Sequence, residues 1–169
     1  MINLFDLRHL LELSHAPMLS LYLAVDPALP ENQAAVPAWR RWLKTALREM
    51  ENELEEQHSA AWFEIHKALE GVLESYAPNA KTLVLFCGKD FLQSFELAVA
   101  INNYISFGEP ALTALLQLIH QHKSYLLVFS DHETARIWLV ALNSIEYEEE
   151  RRLEWYCEDW REMTLMPAT

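Results

Sequence analysis

Two apolar runs, Tyr125–Phe129 and Ala135–Leu142, flank the polar turn Ser130–Thr134, and a second break at Asn143-Ser144 leads into Ile145–Glu148. Short apolar runs bounded by turn-forming residues predict a β-meander. The first run is apolar on both of its alternating faces, with Tyr125, Leu127 and Phe129 on one and Leu126 and Val128 on the other. A strand of that kind belongs in a sheet covered on both sides. The residues after Glu148 are few and acidic, so the cover has to come from elsewhere. Open faces and edges favour self-association, most simply as a two-fold dimer.

Upstream, Leu4, Leu7, Leu10 and Leu11 make the stripe of a helix that Asn3 can cap and that runs to about Leu13. Pro17 ends it, and Met18–Val25 reads as a buried strand followed by a proline-rich loop. Two long amphipathic helices follow, about Pro37–Gln57 and Ser59–Tyr76. They are separated only by His58-Ser59, and so predict an antiparallel hairpin. Strands are expected at Thr82–Cys87, Leu92–Leu97 and about Ile101–Phe107, with Gly88-Lys89-Asp90 turning between the first two. Gly108-Glu109-Pro110 is punctuation and suggests a domain boundary, giving regions 1–108 and 109–169. Beyond it, Ala111–Gln121 reads as a linking helix, and Arg151–Met163 as a short final helix. The expected fold is α/β, of the α+β kind. A mostly antiparallel sheet is covered by the long helical hairpin, and a linking helix and a β-meander follow.

Charge narrows the function. The chain has 25 acidic and 13 basic side chains, a net charge of −12, and residues 146–169 alone hold eight Asp or Glu against three Arg. Binding to nucleic acid regardless of sequence needs clustered Lys and Arg, so there is no strong nucleic-acid signal, and the acidic end suits a basic partner. No apolar run approaches the roughly 20 residues of a membrane helix. The N-terminus lacks the basic start of a signal peptide. Cys87 and Cys157 are far apart and form no metal or redox motif, so a reduced, cytoplasmic setting is expected.

The first long helix carries Arg40, Arg41, Lys44 and Arg48 at its start and Glu49, Glu51, Glu53, Glu55 and Glu56 at its end. This order opposes the helix dipole by about 0.3–1 kcal/mol per charge. Like charges four residues apart add roughly 0.2–0.5 kcal/mol each. Something should offset that. One reading is a basic RNA-facing patch with Trp39 and Trp42 available for stacking. The simpler one is structural, with Lys44 and Arg48 facing Glu70 and Glu74 across the hairpin, and Glu51 facing His66 and Lys67.

Catalytic chemistry finds little support. His120 and His122 project in different directions, His132 sits in a turn, and no HExxH spacing occurs, so no metal is expected. There is no GxSxG elbow, and Cys87 on an apolar strand reads as an inert core thiol. Gly71, Gly88 and Gly108 are isolated, so no phosphate-cradling loop forms. Neither a cofactor nor an enzymatic activity is expected.

The order of elements, an SLYL strand, a helical hairpin, an LVLF strand, a helix bearing Pro110, Leu112, Leu115, Leu118 and Ile119, and then a strand pair with Asp131, Ala135 and Arg136, resembles bacterial members of the archaeo-eukaryotic peptide-chain release factor family. The resemblance covers roughly residues 17–146. It implies an N-terminal domain and the opening of a middle domain. The catalytic Gly-Gly-Gln loop of the family is absent here, because no two glycines are adjacent. The hairpin tip reads Gln57-His58-Ser59-Ala60 where the family has Asn-Ile-Lys-Ser. Of the second decoding element, Tyr-x-Cys-x-x-x-Phe, Cys87 and Phe91 match, while Leu85 replaces the tyrosine. The resemblance therefore implies a non-catalytic relative associated with the ribosome or a translation factor. Candidate RNA- or partner-binding residues are Trp39, Arg40, Arg41, Lys44, Arg48, Cys87, Lys89 and Phe91. The alternatives are a dimeric protein-interaction module with an acidic tail and, more weakly, a hydrolase of unknown substrate.

Overall fold

The computed structural model describes residues 4–12, 17–54, 59–142 and 144–152. The chain forms two compact units, Met1–Lys123 with Leu142–Ser144, and Ser124–Ala141 with Ile145–Thr169.

The first unit holds α1 (Leu4–Glu12), β1 (Met18–Ala24), α2 (Ala38–Glu53), α3 (Ser59–Glu74), β2 (Thr82–Cys87), β3 (Leu92–Leu97), β4 (Tyr104–Gly108) and α4 (Thr113–Gln121). Its sheet has the order β3-β2-β1-β4 with antiparallel neighbours, so the expected α+β architecture with an antiparallel sheet is present. β1 lies inside the sheet, with Leu21 opposite Leu85 on β2 and Ile105 on β4. Alternation then sorts side chains onto two faces. Leu19, Leu21, Leu23, Leu83, Leu85 and Cys87 pack with Trp39 and Leu43 of α2 and with Trp62, Ile65, Leu69 and Leu73 of α3. Met18, Tyr22, Val84 and Phe86 pack on the other side with Leu7 and Leu10 of α1 and with Leu112, Leu115 and Leu118. Each such fully buried aliphatic side chain contributes about 1.5–3 kcal/mol. Helices therefore cover both faces, where the sequence predicted cover from α2 and α3 alone.

Two polar side chains in this greasy strand have defined partners. Ser20 Oγ accepts the Ala111 N–H at 3.0 Å, and the Tyr22 hydroxyl donates to the Ala111 carbonyl. Residues 20 and 22 share a face, so together they pin the entry to α4 against the sheet centre. The Leu112, Leu115 and Leu118 stripe buries there too. α4 thus belongs to the first unit, and the division falls after Lys123 and not at residue 108. β4 begins at Tyr104, later than expected, because side chains have taken the neighbouring backbone groups. Asn103 Oδ1 accepts the Ala24 N–H at 2.7 Å, and Thr82 Oγ1 accepts the Ile101 N–H at 2.9 Å.

The second unit is the meander β5 (Tyr125–Ser130), β6 (Thr134–Ala141) and β7 (Ser144–Arg152), in that order. Asp131 closes the β5–β6 turn: its Oδ1 accepts the N–H groups of Glu133 (2.8 Å) and Thr134 (2.7 Å), and its Oδ2 accepts the Thr134 hydroxyl (3.0 Å). These bonds to the charged form hold the Asp131 carboxyl below the usual carboxylate range. Arg151 and Arg152 continue β7 instead of starting a helix, and the rest of the expected helix lies outside the described residues. Two-sided burial of the first strand is not met: all six residues of β5 are exposed.

Candidate functional site

α2 presents Trp39, Leu43 and Ala46 to the sheet. On the flank beside that face, Arg40, Lys44 and Arg48 recur every four residues and form a basic row. On α3 the same spacing puts His66, Glu70 and Glu74 in a second row. Arg40 Nη2 donates to the Leu73 carbonyl at 3.0 Å, and the rings of Trp39 and Tyr76 meet edge-on at 6.3 Å. The start of α2 therefore lies beside the end of α3. Part of the expected hairpin tip, Gln57 and His58, lies outside the described residues.

Between the helices runs a groove of about 680 Å³. Its floor is Trp39, Leu43, Leu47, Leu69 and Leu73, and its walls are the basic row of α2 and the His66, Glu70 and Glu74 row of α3, with Glu51 also lining it. The expected ion pairs across it do not form. Among the described residues no ion pair joins α2 to α3, and Glu70 instead approaches His66 of its own helix at 3.9 Å. Each helix rests on the sheet separately, and the apolar floor holds the charged rows apart. Across open solvent such charges attract only weakly.

Trp39 is 2% exposed, and the Arg40 guanidinium lies 4.9 Å from the centre of its ring. It is a core residue and not a platform for stacking bases. Its buried indole N–H has no acceptor among the described residues. Trp42 lies on the other flank of α2, half-buried beside a smaller hollow shared with Glu49, Met50 and Ile105. Arg41 is exposed outside the groove, its carbonyl accepting the Thr45 hydroxyl at 3.2 Å.

Cys87 is buried, its thiol 3.8 Å from the Ile65 carbonyl of α3, and burial pushes it up to about 11. It is therefore a protonated, unreactive core group. Lys89 is exposed in the β2–β3 turn, and the Phe91 ring packs so tightly over Gly88 that an added Cβ would lie 2.1 Å from it. All the candidates but Arg41 thus fall into two groups. Trp39, Arg40, Lys44 and Arg48 line one groove, whereas Cys87, Lys89 and Phe91 form a separate turn.

The acidic wall and apolar floor were the part that sequence reasoning missed as a site. Their signal was the matching spacing of 40, 44, 48 and 66, 70, 74, first read as closed ion pairs. Among the described residues no three His, Cys, Asp or Glu side chains gather as metal ligands. No protein-family model and no curated protein matches the chain.

Proposed function

We propose that this chain is a non-catalytic relative of the archaeo-eukaryotic peptide-chain release factors that works by contact with the translation apparatus. The observation that carries the contact role is the groove between α2 and α3, a ready-made docking trough with an apolar floor and walls of opposite charge. A nucleic-acid backbone would meet the acids of α3 as well as the bases of α2, which disfavours it. A protein segment with an apolar stripe between an acidic and a basic row suits both walls. A translation factor or ribosomal protein is thus the favoured partner over ribosomal RNA.

Co-sedimentation with ribosomes over a salt series tests this. Binding that weakens with salt, and weakens again in Lys44→Gln/Arg48→Gln, supports it. Absence of binding at every salt concentration removes it.

A second reading, a two-fold dimeric interaction module, is favoured by a different observation, the exposure of the whole of β5.

A further inference from the structure

The second unit ends in two dissimilar edges. β7 carries Glu146, Glu148, Glu149, Glu150, Arg151 and Arg152, and charge on an edge strand deters pairing with another chain. β5 is its opposite: Tyr-Leu-Leu-Val-Phe-Ser with no charge, no proline and no bulge in its register with β6. Leu126 and Phe129 are 64% exposed, and Leu127, the least exposed of the five large apolar residues, is 53% exposed. Side chains of this size, more than half open, present roughly 500 Å² of apolar surface on one strand, as much as the largest patch of an ordinary monomer.

Backbone direction adds a second constraint. The Asp131 N–H donates to the Thr134 carbonyl at 2.9 Å, and the ladder continues as Phe129–Arg136, Leu127–Trp138 and Tyr125–Val140. Hydrogen-bonded and non-bonded pairs alternate in an antiparallel ladder. Phe129, Leu127 and Tyr125 therefore turn their backbone groups toward β6. The N–H and C=O groups of Leu126, Val128 and Ser130 point outward, with no neighbouring strand among the described residues.

We propose that this edge is completed by the β5 strand of a second copy, antiparallel across a two-fold axis, making one six-stranded sheet. The inference deepens the dimer reading above and rests on it. The register follows from symmetry. Opposed residues in an antiparallel pair share a face, so a two-fold axis normal to the sheet must pass through a residue and not between two. Centring on Leu127 puts Tyr125 opposite Phe129, Leu126 opposite Val128 and Ser124 opposite Ser130 of the other copy. Centring on Val128 instead sets Tyr125 against Asp131 and Leu126 against Ser130. Only the first pairs every apolar residue of the strand with another apolar residue.

In that register the outward groups of Leu126 and Val128 exchange about four hydrogen bonds between the copies. A strand pair covers less than the about 800 Å² per partner of a standard interface, so the association falls in the weak, concentration-dependent class. Leu127 and its symmetry mate form a non-hydrogen-bonded pair about 4.5 Å apart at Cα, within disulfide reach.

Sedimentation of the full chain at roughly 1–100 μM, the range of weak interfaces, reads the mass. Twice the chain's 19.7 kDa is expected at the upper end. Leu127→Lys, which sets two like charges face to face at an already exposed site, should return it to one copy with an unchanged circular dichroism spectrum. In a Cys157→Ser background, Leu127→Cys should form an inter-copy disulfide on mild oxidation, and Leu126→Cys should not. A dimer whose Leu127→Cys form does not cross-link overturns the strand and register while leaving the dimer reading standing. A single-copy mass at every concentration overturns both. If the β5 amides of that single copy resist hydrogen exchange, the edge is covered by another segment of the same chain.

Discussion

Replacing Tyr22 by Phe removes one oxygen and little else. The residue is 1% exposed, and its ring sits edge-on to Phe86 at 6.3 Å and Tyr104 at 6.1 Å, contacts a phenylalanine keeps. What disappears is the hydroxyl that donates to the Ala111 carbonyl. That carbonyl then stands next to the apolar packing of α4 without its donor, at a cost of about 1–3 kcal/mol. Ser20→Ala strips the acceptor from the Ala111 N–H on the same face and carries a similar cost. Because both bonds end on one residue, the double variant should cost less than the sum, with a coupling of about 0.5 kcal/mol or more. Urea unfolding read by far-UV circular dichroism and tryptophan fluorescence measures all three, and Trp39 and Trp62 report on the first unit.

The pH dependence is a further check. Burial, and then the neighbouring Tyr104, push the Tyr22 phenol well above its ordinary value of 10.0. A raised folded-state value keeps the contribution whole below pH 10 and loses it only above. The gap between wild type and Tyr22→Phe should therefore stay level from about pH 6 to 9. A Tyr22→Phe protein within about 0.5 kcal/mol of wild type, the usual range for a surface change, refutes the clasp.

Three other outcomes are expected. Glu70→Lys/Glu74→Lys should change stability by no more than about 0.5 kcal/mol, since no ion pair spans the groove, and a loss of 2 kcal/mol or more would restore the closed-pair reading. In Cys157→Ser protein, folded Cys87 should react with a disulfide reagent at pH 8 about a hundredfold more slowly than the urea-unfolded chain, because its thiol titrates near 11; equal rates would contradict its burial. The Asp131 carboxyl, depressed by its turn bonds, stabilises the turn above the ordinary value of 3.8 and releases it as pH falls through the lower folded value. The Thr134 amide resonance should follow that titration with a midpoint below 3.8, and a midpoint at or above it would exclude the clasp.

Local signals placed the elements well. Gly88-Lys89-Asp90 between two short strand-forming runs located β2 and β3 to the residue, and the period of Leu43, Leu47, Leu69 and Leu73 located α2 and α3. Tertiary facts were harder to read. Nothing near Ser20 and Tyr22 in sequence indicates that both serve Ala111, and without that clasp α4 looks like a linker to the meander. The Glu-rich stretch after Tyr147 suggested a solvated tail and a helix, yet an edge strand tolerates charge on every residue, so β7 runs on to Arg152. For the groove, residue spacing revealed the two rows but not the separation between them. That separation depends on how far apart the sheet seats each helix.

The place of β1 has a consequence for biosynthesis. Entirely apolar but for Ser20 and Tyr22, the strand leaves the ribosome before its neighbours, Leu85 and Ile105 and their flanking residues, are made. Until those arrive it has no mate, and pairing across such sequence distances is slow. The nascent chain thus carries an adhesive, unmatched strand from the synthesis of Ala24 until that of Thr82, and α2 and α3, made in that interval, are available to shelter it.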